Sequence, residues 1–357
     1  MEIPDCDPVP ALYKHPAFAY RYAVPSNELQ AGDLLRGFRI EGYLGEGAMG
    51  KVYRARRESD QLPVALKVLP PSSLEDPYAK ESFLIEMEIT AQLSHPQLIH
   101  SVASGAADGM YFLALKYIEG ETVEAYGDRK GPLNEDESLY LIHYLAGAMQ
   151  YAWETHRVIH RDINPSNIIL SLEGYPVLVD LGMAQYHRQP LSATLDGLVE
   201  GTPNYMSPEQ SRNNPDIDYR TDVYGLGASL YRAVTGHIPF AEFDEDEVLN
   251  RLRSDDLILT DPRRYNPSVS NACVLLIERM LAKHPIHRCT SWQQLVQDID
   301  RVLGGKAPAQ GPLPQEQSML KREGFAKPSA RRISVMKRSA SGTVRRHEGD
   351  IGNKEGR

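Results

Sequence analysis

Between Val158 and Gly182 the chain passes twice from an apolar run into a short polar cluster, and nothing else in the sequence constrains its folding as much. The first cluster lies within Val158-Ile159-His160-Arg161-Asp162-Ile163-Asn164-Pro165-Ser166-Asn167-Ile168-Ile169-Leu170. The second closes Val177-Leu178-Val179-Asp180-Leu181-Gly182. Short apolar runs bounded by turn residues read as buried strands. A polar loop between buried strands can be merely structural, but two spaced acidic clusters in this order disfavour that reading.

The elements on either side differ in character. Upstream, Phe38 to Leu44, Val52 to Ala55, Val64 to Leu69 and Met110 to Leu115 read as strands. Among them lies one helix, capped by Asp76 with Pro77 at its first position and ended near His95-Pro96. Past Gly120 the pattern turns helical. Asn134 with Glu137 reads as a capping box ahead of Leu139, Ile142, Leu145, Met149 and Ala152. Further helices are expected over Asp222–Val234, ending at Gly236, and Val274–Leu281. A β-rich part followed by a larger α-helical part is an α+β arrangement. Residues 1–36 read as an irregular extension rich in Pro and Tyr, 37–304 as one two-lobed domain divided near 118, and 305–357 as a basic disordered tail.

Composition narrows the function classes. The net charge of −9 conceals twelve Lys/Arg and five Asp/Glu in 306–357, so the tail carries +7 and the remainder −16. An acidic body argues against a nucleic-acid binder. No run of eighteen apolar residues is present to span a membrane, and the N-terminus lacks the pattern of a secretory signal. Three scattered cysteines suit a reducing compartment, so a soluble cytoplasmic protein is expected.

Phosphoryl transfer needs a carboxylate to orient and accept from a hydroxyl, and oxygen ligands that hold Mg2+ on the phosphates. Asp162 can supply the first; Asn167 and Asp180 can supply the second. The turn Gly45-Glu46-Gly47-Ala48-Met49-Gly50-Lys51-Val52 can close its backbone over phosphates, and it leads into a strand rather than a helix, unlike a dinucleotide fingerprint. Lys67, in an apolar strand fifteen residues after Val52, is a suitable point charge for phosphate oxygens, and Glu86 on the following helix can hold it.

Together these segments, with Gly201-Thr202-Pro203-Asn204-Tyr205-Met206-Ser207-Pro208-Glu209, Asp222 and Arg288, resemble the eukaryotic-type serine/threonine protein kinases, most closely the bacterial members, over about residues 37–304. The resemblance implies a bilobal protein kinase fold that uses ATP and Mg2+ on protein substrates. It implies that Lys67 holds the phosphates and pairs with Glu86, that Asp162 is the catalytic base, and that Asn167 and Asp180 bind the metal. Leu44 and the glycine turn would cover the nucleotide. Val52, Ala65 and Ile169 would wall the adenine pocket, with Leu115 at its back and Lys116, Tyr117 and Ile118 as its hinge. Glu209 and Arg288 would form a buried ion pair, and Asp222 would brace the His160-Arg161 backbone.

Some positions depart from that family. Asn164 stands where a lysine normally touches the γ-phosphate, which implies slower turnover and leaves a catalytically weak scaffold (a pseudokinase) as the alternative. Leu181 replaces the commoner Phe, a mild apolar change. Ser166 replaces a frequent Glu, removing one contact for a substrate arginine, while Glu121 is open to ribose or to such an arginine. Thr194, Ser334, Ser339 and Ser341 are the expected autophosphorylation sites, with Asp196 a possible built-in charge beside Thr194.

Overall fold

The computed structural model describes residues 29–47, 50–107, 109–188 and 201–321. Its first part is a six-stranded antiparallel sheet. In chain order the strands are β1 (Leu34–Leu35), β2 (Phe38–Gly47), β3 (Gly50–Arg57), β4 (Pro63–Leu69), β5 (Ser101–Ala107) and β6 (Met110–Lys116), arranged β1-β2-β3-β4-β6-β5. Helix α1 (Pro77–Gln92) leaves the sheet after β4, and its N-cap is the expected Asp76, whose carboxylate accepts from Tyr78 N. The alternation of a strand sorts the side chains of β4. Val64, Leu66 and Val68 enter an outer core with Phe38, Ile40, Tyr53 and Phe112, whereas Ala65 and Leu69 join the core beneath α1. Lys67 therefore shares the inner face with Ala65, and it is buried there.

The second part is mostly helical. After β7 (Gly120–Thr122) come α2 (Val123–Lys130), α3 (Glu135–His156), β8 (Val158–Ile159), β9 (Ile168–Ser171), β10 (Pro176–Leu178) and β11 (Gln185–Tyr186). The remaining elements are α4 (Pro208–Ser211), α5 (Arg220–Thr235), α6 (Glu245–Arg253), β12 (Leu259–Thr260), α7 (Asn271–Met280), α8 (Trp292–Leu303) and β13 (Leu320–Lys321). The capping box of Asn134 and Glu137 opens α3, and Leu139, Ile142, Leu145, Met149 and Ala152 are all buried. Helix α5 is buried on every side from Thr221 to Thr235 and ends at Gly236, whose φ of 73° fits the left-handed cap. At Gly225 an added Cβ would stand 2.9 Å from Ile163 O, so this glycine lets α5 lie directly against the polar loop. One apolar core runs from Val52 and Ala65 through α3 and α5 to Trp292. The expected order, a β-rich lobe followed by a larger α-helical lobe, is therefore present.

Two segments depart from the sequence reading. Within the expected irregular extension, Leu34 and Leu35 pair with Arg39 and Phe38, a strand too short to announce itself by periodicity. More consequentially, 305–321 is not a disordered start to the tail. It lies along α7 and α8 and pairs β13 in parallel with β12. Leu313, Met319 and Leu320 are buried. Much of what holds it is backbone hydrogen bonding, which leaves no apolar rhythm in the sequence.

Candidate active site

The polar loop is held from beneath. Asp222, in the first turn of α5, accepts from His160 N and Arg161 N, each at 2.9 Å, as the resemblance implied. Burial pushes the Asp222 carboxyl up to about 7, against the pull of those two amides and of Arg161. His160 is fully buried, and burial keeps its imidazole below the ordinary histidine range. A neutral ring suits Nδ1 as acceptor for Asp162 N at 3.3 Å. Arg161 adopts φ 69° and Asp180 φ 60°, left-handed conformations that carry strain in non-glycine residues. Gln210 Nε2 donates to Arg161 O at 2.7 Å, tying the loop to α4.

Both oxygens of Asp162 are engaged. Asn167 Nδ2 donates to Oδ2 at 2.8 Å, and the Thr202 hydroxyl donates to Oδ1 at 3.0 Å. Asn167 is joined to the second acidic cluster through Val179 N, which donates to Asn167 O at 2.8 Å. Lys67 Nζ spans the parts of the site. It donates to Glu86 at 2.7 and 2.9 Å and to Asp180 Oδ1 at 3.1 Å. Burial alone would lower the Lys67 ammonium, but Asp180 and Glu86 outweigh it and hold the group above the usual lysine range. Burial would likewise raise Asp180; Lys67 and the Gly182 amide hold it below the usual carboxylate range. Lys67 is therefore charged.

The glycine turn is a β2–β3 hairpin in which Gly45 faces Val52, Glu46 faces Lys51 and Gly47 faces Gly50. Gly50 has φ 130°, and a Cβ there would meet Val68 O at 2.3 Å, so only glycine fits. Ala48 and Met49 lie outside the described residues. Leu44, Val52, Ala65, Leu115, Tyr117 and Ile169 converge in one apolar cluster, with Ile118 packed against it. Lys116 N and Tyr117 N are used within the protein, donating to His100 O and Pro63 O.

Two positions singled out in the sequence are engaged within the protein. Asn164 is 2% exposed. Its Oδ1 accepts from Ser166 N, Ser166 Oγ and Asn167 N, capping the turn Pro165–Asn167. Its Nδ2 donates to Asp162 O and Thr202 Oγ1 at 3.3 and 3.2 Å, so its amide hydrogens serve the loop. Glu121 pairs with two nitrogens of Arg129 at the surface, and ribose and a substrate arginine both stay open as contacts.

The expected ion pair is present: Arg288 is fully buried and donates to Glu209 at 2.5 and 2.9 Å. Sequence reasoning missed Thr202 as a partner of Asp162 and Tyr186, whose hydroxyl donates to Glu88 on α1 at 3.2 Å. Thr202 sits in a motif that was legible; nothing marked Tyr186. Thr194, Asp196, Ser334, Ser339 and Ser341 lie outside the described residues.

A family model described as "Protein kinase domain" matches residues 38–299. The chain belongs to the protein kinase family. It is similar to the serine/threonine-protein kinase pkn3 of Myxococcus xanthus, with 33% identity over 273 residues covering 74% of this chain and 50% of that protein. It is also similar to the serine/threonine-protein kinase PrkC of Bacillus subtilis, 30% identical over 74% of this chain and 41% of that one. The crystal structure of the Mycobacterium tuberculosis PknI kinase domain superposes with a TM-score of 0.60 and 26% identity, covering 77% of this chain and 99% of that one. The chain spans about half the length, or less, of the curated relatives it matches.

The residues of this kinase domain fit magnesium. The positions expected to hold the metal carry an amide oxygen donor, Asn167, and a carboxylate, Asp180, whose side chain is 40% exposed and kept ionised by Lys67. Oxygen donors with retained solvent suit this hard cation.

Proposed function

We propose that this chain is a protein serine/threonine kinase that moves the ATP γ-phosphoryl group to a Ser or Thr hydroxyl of a protein. The observation that carries the reading is the network on Asp162: Thr202 and Asn167 hold its two oxygens, and Val179 links Asn167 to the Asp180 cluster. Asp162 accepts the proton of the incoming hydroxyl as the new P–O bond forms and ADP departs. Lys67 holds phosphate oxygens and is itself held by Glu86, so the cation is placed before the nucleotide arrives. The adenine ring fits between Leu44, Val52, Ala65 and Ile169. Lys116 and Ile118 face its edge, and the backbone from Gly45 to Lys51 covers the phosphates. Asn167 and Asp180 would hold magnesium, which would neutralise charge on the phosphates.

Ser166 turns in to Asn164, and a substrate arginine upstream of the acceptor would share the surface carboxylate of Glu121 with Arg129. We infer autophosphorylation at Thr194 and at Ser334, Ser339 or Ser341 from sequence context. We infer action within the cytoplasm from cysteine usage; among the described residues no helix is long and apolar enough to cross a membrane. The folded unit is proposed to be 34–321, the expected 37–304 extended by β1 and by the segment to 321. Transfer of radiolabel from γ-labelled ATP to a generic protein substrate, wild type beside Asp162→Asn, tests the activity. Incorporation that falls at least a hundredfold in the variant supports it. Equal background incorporation by both defeats it.

A further inference from the structure

The segment 305–321 lies beyond α8 and beyond the matched family model, yet its attachment to the large lobe is dense. Ala309 N donates to Asp298 Oδ1 at 2.7 Å, and Arg279 Nη2 donates to Gln310 O and Gly311 O at 3.2 and 2.7 Å. The buried Glu278 carboxylate accepts from Ser318 Oγ at 2.7 Å and Leu313 N at 3.3 Å. Lys283 N donates to Gln317 O, and Leu259 N donates to Met319 O at 2.6 Å. Every one of these lobe groups is polar and would face water or lose a partner if the segment left.

Its position matters as much as its strength. Met319 packs on Tyr224, whose hydroxyl lies 3.6 Å from Sδ. The Tyr224 ring carries the Arg288 guanidinium on its face, 5.0 Å from the centroid. Arg288 grips Glu209, and the adjacent Gln210 donates to Arg161 O in the loop that bears Asp162. Three contacts therefore connect Met319 to the helix whose next residue holds the catalytic loop. A buried ion pair is strong only while water is kept away, and solvent reaching it through a loosened wall weakens it.

We propose that residues 305–321 are a positioning strap: by sealing Tyr224 they keep the Glu209–Arg288 pair dry and hold the 201–211 segment in register with Asp162. The functional half of this inference rests on the kinase reading above; the structural half does not. Ser318 is the lock, because the residue is 3% exposed and its hydroxyl faces a carboxylate, so a negative charge placed there drives the strap off.

The test uses the full chain with Ser318→Asp, Ser318→Ala, Met319→Ala and Met319→Leu, followed by amide hydrogen exchange and by steady-state kinetics. Ser318→Asp and Met319→Ala are expected to speed exchange in both 305–321 and 203–211. They raise the KM for protein substrate on the order of fivefold and leave the KM for ATP within twofold of wild type. Met319→Leu stays near wild type in both readouts, and Ser318→Ala, which removes a donor to Glu278 without adding charge, falls between wild type and Ser318→Asp. Faster exchange confined to 305–321, with 203–211 and the substrate KM unchanged, reduces the strap to packing and overturns the proposal. A wild type with no transferase activity defeats the kinase reading alone, since the exchange coupling between the two segments is still measured.

Discussion

Asn164 shows how far a residue's identity and its orientation can diverge. The missing lysine was legible at once, and with it the loss of a cation beside the transferring phosphoryl group. What the sequence did not reveal is that the asparagine is fully employed, capping the turn to Asn167 and bridging Asp162 O to Thr202. Replacement therefore changes two things with opposite signs. Asn164→Ala loses the cap, about 1 kcal/mol of stability, and loosens Thr202. Asn164→Lys loses the same cap but restores the cation. The expected outcome is a kcat for the lysine variant at least tenfold above the alanine variant, measured at saturating Mg-ATP, with similar melting temperatures. Equal kcat values would mean that charge at this position does not limit transfer. The buried pairing of Lys67 with Glu86 was readable by contrast, because the two-residue period of β4 places Lys67 on the face of Ala65, and Glu86 faces back across it.

Elements were legible where they carried a rhythm or a cap. Helix α3 had both, and β4 and β6 were continuous apolar runs. Strand β5, with the sequence Ser-Val-Ala-Ser-Gly-Ala-Ala, has little β propensity and is specified by its pairing to β6, and α2, α6 and α8 were not foreseen. Helix α4 is only four residues long, so its place depends on tertiary anchoring, chiefly Glu209 to Arg288. Burial alone would raise the Glu209 carboxyl, but Arg288 outweighs it and holds the group below its ordinary value of 4.5. The folded state then releases this proton more readily than the unfolded chain. The pair's contribution is complete above about pH 4.5 and is lost as pH falls through the lowered folded value. Glu209→Gln should cost about 3 kcal/mol near pH 7, since the arginine is left buried without its counter-charge. The gap between variant and wild type should narrow as the medium is acidified below pH 4.5. Urea denaturation at a series of pH values measures both, and a gap independent of pH would contradict the assignment.

At the scale of the whole molecule, the sequence made the two lobes and their order plain, because the switch from strand to helix patterning falls near Gly120 and the chemistry-bearing motifs straddle it. It did not reveal 305–321. The run Gly-Gly-Lys-Ala-Pro-Ala-Gln-Gly-Pro-Leu-Pro has the composition of a linker, and its order comes from backbone groups paired with Arg279, Glu278 and Asp298. The lobes themselves meet at Lys67, which links Glu86 of α1 to Asp180 beyond β10. A nucleotide lying between them contacts both, so binding stabilises the folded molecule as a unit. At a hundred times its dissociation constant a ligand adds about 2.7 kcal/mol. For a domain of this size that is a rise in melting temperature of roughly 5 °C. A nonhydrolysable ATP analogue should produce a small rise without metal and the full rise with magnesium. Asp180→Asn removes the ionised carboxylate but retains an amide oxygen, so it should keep the metal-free rise and lose most of the magnesium-dependent increment. Thermal melts of both proteins with and without magnesium decide the point. An unchanged increment in the variant would show that the ion is held elsewhere than at Asp180.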